Sequence, residues 1–236
     1  IYAAFASKPT GEEIDSLFDV PTNGAQSDTG AGGEVSGNYC TWNPLKPTSG
    51  TFSQGNLRFA GNSQWRNADG TIAVSSGKWY YEATYTGGQY GSNQGNLATG
   101  IGFKKIDANL PEGSNQEPVN SSTYRSNTLA FYQNGYFTNF STHSSVTTQI
   151  APGDVVGVSI NYDAGTYAFY VNGSSVTSGS LSYTGELIPW AQAYYSTDYY
   201  DCNFGQRAFA YSAPSNHKAI CTTNLPTPTI ADGSDY

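Results

Sequence analysis

The sequence predicts an all-β protein, two antiparallel sheets packed as a sandwich. Three observations carry that expectation. Tyr counts 19, aromatics make up 14% and glycines number 27, while charged residues are only 12%. That is the composition of strands joined by tight turns, and it is poor in helix formers. From Tyr39 onward, about eleven to thirteen short strand-like runs recur between turn signals. Two of the turns, Asn134-Gly135 and Asn172-Gly173, are hairpin dipeptides.

In chain order, residues 1–20 differ from the rest. Thr10 is placed to cap a short helix, with Glu13 three residues on and Ile14, Leu17 and Phe18 as its apolar stripe. Val20-Pro21-Thr22 enforces extended chain. Residues 22–38 are Gly, Ser, Asn, Thr and Asp and are expected to form an exposed loop. The expected organisation is therefore a lead-in over 1–38 and a sandwich with a C-terminal extension over 39–236. The chain starts at Ile1 and has no Met, so it is expected to be a processed piece of a longer product.

Residues 77–86 form the first strong strand, with Trp79, Tyr81, Ala83 and Tyr85 on one face and Lys78, Tyr80, Glu82 and Thr84 on the other. A glycine-rich loop spans 87–97. A short strand runs from Ala98 to Phe103, and Gly100 and Gly102 in it signal close backbone approach. Residues 106–127 are a long polar insertion. Strands at 128–132 and 136–140 flank Asn134-Gly135. Asp154–Tyr162, Thr166–Val171 and Ser174–Thr177 form a meander around Asp163-Ala164-Gly165 and Asn172-Gly173. Leu187–Tyr195, Asp201–Phe204 and Ala208–Tyr211 complete the set. Gly157 is expected to make room for an aromatic side chain. Asp154 is expected to accept backbone N–H bonds at a strand start, and Asn203 to bond internally beside a buried Phe204.

Net charge and hydropathy exclude several classes. The formal charge is −8 with ten Lys plus Arg, which argues against a nucleic-acid partner. No window approaches 18 apolar residues, so no membrane insertion is expected, and no signal peptide is visible. Cys40, Cys202 and Cys221 suit neither a disulfide scaffold nor a zinc site, and are expected as small buried residues.

The motifs have a family likeness. Gly77-Lys78-Trp79-Tyr80-Tyr81-Glu82, Gly100-Ile101-Gly102-Phe103, Gly153-Asp154-Val155-Val156-Gly157, Phe169-Tyr170-Val171-Asn172-Gly173, Leu187-Ile188-Pro189-Trp190 and Asn203-Phe204-Gly205-Gln206 occur in the order seen in SPRY domains. The chain resembles that family, which implies a SPRY-type, concanavalin-like β-sandwich. A second likeness covers the flanks. Asp19–Asn23, Gly37–Leu45 and Gly55-Asn56-Leu57, with Phe209-Ala210-Tyr211 and the Lys218–Ile230 tail containing "CTTNLPTPTI", resemble SPRY-containing bacteriophage virion proteins. Val20 and Asn216 depart from that pattern, Asn216 standing where glycine is usual. This likeness implies a tail-fibre or capsid-surface location, extracellular on a virion, with other virion proteins or a bacterial surface glycan or protein receptor as partners. It also implies a homotrimer, as in tail fibres, although no coiled-coil heptads support one.

The search for chemistry finds little. The two histidines, His143 and His217, lie in polar stretches, and no nucleophile or zinc-protease motif accompanies them. Glu82, Asp198, Asp201 and Glu186 are the carboxylates from which a glycosidase pair could be drawn; a solvated or structurally bonded role is the expectation for each. Asp232-Gly233-Ser234-Asp235 is no EF-hand loop, and Gly87-Gly88-Gln89-Tyr90-Gly91 lacks the Lys and helix of a phosphate loop. No catalytic residue, metal or cofactor is expected. Rigid tyrosines among Ser, Gly and Asn are recognition chemistry instead. The candidate ligand-binding residues are Tyr90 in the 87–97 loop, Tyr195, Asp198, Tyr199 and Tyr200 in the Tyr-rich 194–200 segment, and Trp65 with Arg66. The expected function is a non-catalytic module for host-surface attachment or virion protein contact. The alternatives are a carbohydrate-binding module or lectin, and a hydrolase built on Glu82, Asp198 and Glu186.

Overall fold

The computed structural model describes residues 27–46, 48–87, 99–113 and 121–226. The expected helix over 10–19, Tyr90 and the tail beyond Pro226 lie outside them. Among the described residues, thirteen strands form two antiparallel sheets. In chain order they are β1 (Thr51–Ser53), β2 (Arg58–Ala60), β3 (Arg66–Asp69), β4 (Lys78–Thr86), β5 (Gly100–Lys105), β6 (Thr128–Tyr132), β7 (Tyr136–Asn139), β8 (Thr142–Ser145), β9 (Val155–Asn161), β10 (Thr166–Val171), β11 (Ser174–Ser180), β12 (Leu187–Ala193) and β13 (Tyr199–Asn203). A short helix, α1 (Ser122–Asn127), lies inside the polar insertion.

The seven-stranded sheet runs β1-β2-β13-β4-β9-β10-β11, and the six-stranded sheet β3-β12-β5-β6-β7-β8. The expected all-β sandwich is the fold observed. Alternation on β4 divides its side chains as the sequence implies: Trp79, Tyr81, Ala83 and Tyr85 enter the core between the sheets. Phe204 is buried and packs on Trp42 and Tyr81, with ring centroids 5.2 and 5.1 Å apart. Tyr81 in turn donates to the Gly102 carbonyl at 2.6 Å, so a buried phenol ties the two sheets together. All three cysteines are free and buried.

The turn chemistry holds in detail. Asn172 (φ 50°) and Gly173 (φ 78°) both take the left-handed conformation that joins β10 to β11. The Asn172 amide accepts from the Val155 N–H and donates to Asp154, whose other oxygen accepts from the Ala151 N–H at 2.7 Å. Asn216 also sits at positive φ, 62°, which explains why glycine suits that position and why Asn is tolerated there.

Two expectations are corrected. Residues 208–211 form no strand; they belong to a strap, residues 206–218, laid over the outer face of the seven-stranded sheet. Asn203 starts the strap by donating to the carbonyls of Arg207 and Ala208 and accepting from the N–H groups of Gly205 and Arg207. The described part of the expected exposed loop, residues 27–38, is docked rather than free. Val35 is buried with Tyr39, Ala219 and Cys221, and Asp28 accepts from the Ala219 N–H and the Asn224 amide. In the described part of the 106–127 insertion, Leu110 and Tyr124 are buried against Trp190 and Tyr132.

The strap buries the middle of the outer face of β4. Tyr80 and Glu82 are buried there, with Tyr80 edge-on to Phe209 at 5.0 Å. Gly157 on β9 supplies the room, as expected: a Cβ at that position would lie 2.5 Å from the Tyr80 hydroxyl and 2.9 Å from its ring. Gly157→Ala is therefore expected to cost about 1–3 kcal/mol by overpacking. A double-mutant cycle with Tyr80→Phe, read by urea unfolding, is expected to give a favourable coupling of about 0.5 kcal/mol or more. Strict additivity would refute the steric account.

Candidate recognition surface

Two loops meet at one end of the sandwich. The segment after β12, residues 194–198, receives the 61–64 loop: Gly61 donates to the Tyr195 carbonyl at 3.1 Å and Ser63 to that of Tyr194 at 2.8 Å. Ser63 takes φ 67°, which turns the chain sharply back to Trp65. Three rings then stack edge to face, Trp65 to Tyr194 at 5.1 Å and Tyr194 to Tyr195 at 4.8 Å. Tyr194 and Tyr195 are half-buried, and Asn62, Ser63, Ser196 and Thr197 surround or flank them on the surface. Tyr199 pairs with Thr86, so β4 ends beside this surface.

The structure sorts the sequence candidates. Tyr195 is half-exposed at the surface. Trp65 is fully buried beneath Tyr194, Tyr200 faces the core against Tyr85, and Asp198 is only 3% exposed. Alternation on β13 explains Tyr200, since Tyr200 and Cys202 point inward while Tyr199 and Asp201 point out. Tyr199 lies under the Arg58 guanidinium, 3.9 Å from its ring centroid, and Arg58 also holds Asp201 through two 2.6 Å hydrogen bonds. Those bonds push the Arg58 pKa up. Arg66 is paired with Glu112 at 3.2 Å and bonded to Asn62. Trp65, Arg66, Asp198 and Tyr200 thus build the surface from beneath, while Tyr195 and its neighbours form it. Asn62 and Ser63 were not among the sequence candidates, and Tyr194 lay in the singled-out segment without being named a contact itself. Only the Gly61-Asn62-Ser63 turn chemistry could have pointed to them, because their meeting with Tyr194 is long-range.

The carboxylates do not assemble a catalytic pair. Glu82 is buried under the strap, bonded to Tyr80 and to the N–H groups of Ala210 and Tyr211. Glu186 and Asp198 stand at opposite ends of β12. No group of three or more His, Cys, Asp or Glu side chains suited to a metal occurs among the described residues.

The histidines are more buried than their polar surroundings imply. His143 stacks on Tyr136 at 5.1 Å. His217 is 6% exposed; its Nδ1 lies 3.1 and 3.2 Å from the carbonyls of Pro214 and Ser215, and its Nε2 3.0 Å from the Ser159 hydroxyl. Carbonyls only accept, so Nδ1 carries the proton and Nε2 accepts from Ser159. Burial lowers the His217 pKa, the two carbonyls oppose this, and Lys78 adds to the lowering. A folded-state pKa below the unfolded value means that the unfolded chain takes up the proton first as pH falls. The contribution of His217 is therefore complete above about pH 6.5 and is lost as pH falls through the folded value. His217→Gln is expected to flatten the decline in thermal midpoint between about pH 7 and pH 5. An unchanged pH profile would refute this role.

Comparison with known proteins agrees with this architecture. A model of the SPRY domain family matches residues 78–207, more than half of the chain. The chain belongs to the SPRY family, whose domains are typically non-catalytic protein–protein interaction modules. Among solved structures it is similar to the SPRY domain of human HERC1, with a TM-score of 0.53, 16% identity, and coverage of 68% of this chain and 96% of that one. It is also similar to the TRIM65 PSpry domain, with a TM-score of 0.52, 10% identity, and coverage of 70% and 91%. For stonustoxin the TM-score is 0.50 at 14% identity, with coverage of 70% of this chain and 27% of the toxin's. At these identities the likeness is one of fold. No curated protein matches.

Proposed function

We propose that this chain is the recognition module of a bacteriophage virion protein, carried on the tail or capsid surface, and that its loop end binds a receptor on the bacterial surface. One observation carries the reading. The 61–64 and 194–198 loops lock into a single surface of tyrosine rings, hydroxyls and amides, held from below by Trp65 and the Arg66–Glu112 pair. Rigid rings with adaptable polar neighbours are binding chemistry. The phage context rests on the resemblance of the flanking segments to virion proteins.

The test is saturable binding of the labelled chain to intact bacterial strains, compared with binding to purified virion proteins. Tyr195→Ala is expected to weaken binding by about 30-fold, the loss of a hot-spot tyrosine, while moving the thermal midpoint little. Binding to no strain, with retention on virion proteins, would assign the surface to assembly. Stripping the surface polysaccharide separates a glycan receptor from a protein one.

A further inference from the structure

The strap leaves part of the seven-stranded sheet uncovered. Beside it, over β9, β10 and β11, lies an open groove of about 490 Å³, within the roughly 300–1,000 Å³ common to small-molecule sites. Its floor and rim present Ser159, Asn161, Thr166, Ser178 and Ser180, with Tyr170 at one side. Pro214 and His217 of the strap form the opposite wall.

We propose that this groove is a binding site for a neutral saccharide. It is distinct from the loop end and does not depend on that reading. Three features select the ligand. No lining residue carries a charge at neutral pH, although the chain as a whole carries −8, so phosphates, sulfated polymers and charged peptides find no counter-ion there. The β9-β10 and β10-β11 ladders use the backbone N–H and C=O groups of the floor, so inside the groove an extended peptide has no main chain to pair with, and only the outer edge of β11, beside the groove, is open to one. What remains is side-chain hydroxyl. Among the described residues no hydrogen bond takes the hydroxyls of Thr166, Ser178 or Ser180, and Thr166 and Ser180 are direct cross-strand partners. Free hydroxyls that both donate and accept match the alternating hydroxyls of a sugar ring, and the half-exposed Tyr170 ring supplies a face on which that ring can lie. His217 orients the Ser159 hydroxyl toward the strap and leaves its lone pairs to the groove.

The experiment is an NMR titration of the ¹⁵N-labelled chain with neutral tetrasaccharides of glucose, mannose and N-acetylglucosamine, each up to about 10 mM. Saturable shifts are expected over β9–β11 and residues 214–217, with a Kd of about 0.1–1 mM for at least one sugar. Ser178 and Ser180 are exposed on an edge strand, so Ser178→Glu with Ser180→Glu leaves the fold intact. That variant is expected to weaken sugar binding more than about 10-fold without altering attachment through Tyr195. No saturable shifts with any of the three sugars would overturn the proposal. Shifts confined to residues 194–198 would overturn it while leaving the loop-end reading in place. Binding of an uncharged peptide at β9–β11 without sugar binding would assign the groove to a polypeptide and equally overturn it.

Discussion

Replacing Glu82 with alanine is expected to cost about 3–5 kcal/mol, because it removes the acceptor for three donors in a buried place. The carboxylate lies on the outer face of β4, 3% exposed, and receives the Ala210 N–H at 2.7 Å, the Tyr211 N–H at 2.9 Å and the Tyr80 hydroxyl at 3.1 Å. These bonds are charge-assisted, and the two backbone donors have nowhere else to turn while the strap stays down. Glutamine is not a mild replacement. Its amide keeps one acceptor oxygen but brings an NH₂ group against an N–H of the strap. Glu82→Gln is therefore expected to lose about 2–4 kcal/mol, which for a chain of this size lowers the thermal midpoint by roughly 5–15 °C. Hydrogen exchange should show where the loss falls: the Ala210 and Tyr211 amides lose protection first, ahead of the β4–β9 ladder. A Glu82→Gln protein within about 0.5 kcal/mol of the parent would sink this account.

This carboxylate also marks how far the sequence can be read. The alternation on β4 was legible, and so were the Asn172-Gly173 turn, the buried Phe204, the bonding of Asn203 and the room that Gly157 makes, because each is a local rule. The strap was not. Phe209-Ala210-Tyr211 has the residues of a strand, and what keeps it from being one is a carboxylate more than a hundred residues earlier that takes its N–H groups. The same holds for His217, whose neighbours Ser215 and Asn216 suggest an exposed loop while its partner Ser159 comes from β9. At the loop end the sequence pointed to the tyrosines of the 194–200 segment. It could not say which rings face out, because the 194–198 turn resets the alternation between β12 and β13.

Trp65 is where that distinction has the largest measurable consequence. If it were a contact residue, Trp65→Ala would weaken binding and leave stability nearly unchanged. Its ring is instead fully buried, with Tyr194 edge-on at 5.1 Å and its backbone paired with Gly113. The expected result is a stability loss of about 3–5 kcal/mol, the cost of deleting a buried aromatic and leaving a cavity. Among the described residues the indole N–H has no hydrogen-bond partner, so phenylalanine gives up ring volume but no bond. Trp65→Phe is accordingly expected to retain most of the stability, losing about 1–2 kcal/mol. Binding should follow stability in this series: Trp65→Phe keeps receptor attachment, and Trp65→Ala loses it only under conditions where the Tyr194–Tyr195 pair is released. Tyr195→Ala gives the opposite signature, with attachment lost and stability kept. Urea unfolding and cell binding measured on the same three proteins separate the two roles. A Trp65→Ala chain as stable as the parent but unable to bind would move Trp65 from the support of the surface into the surface itself.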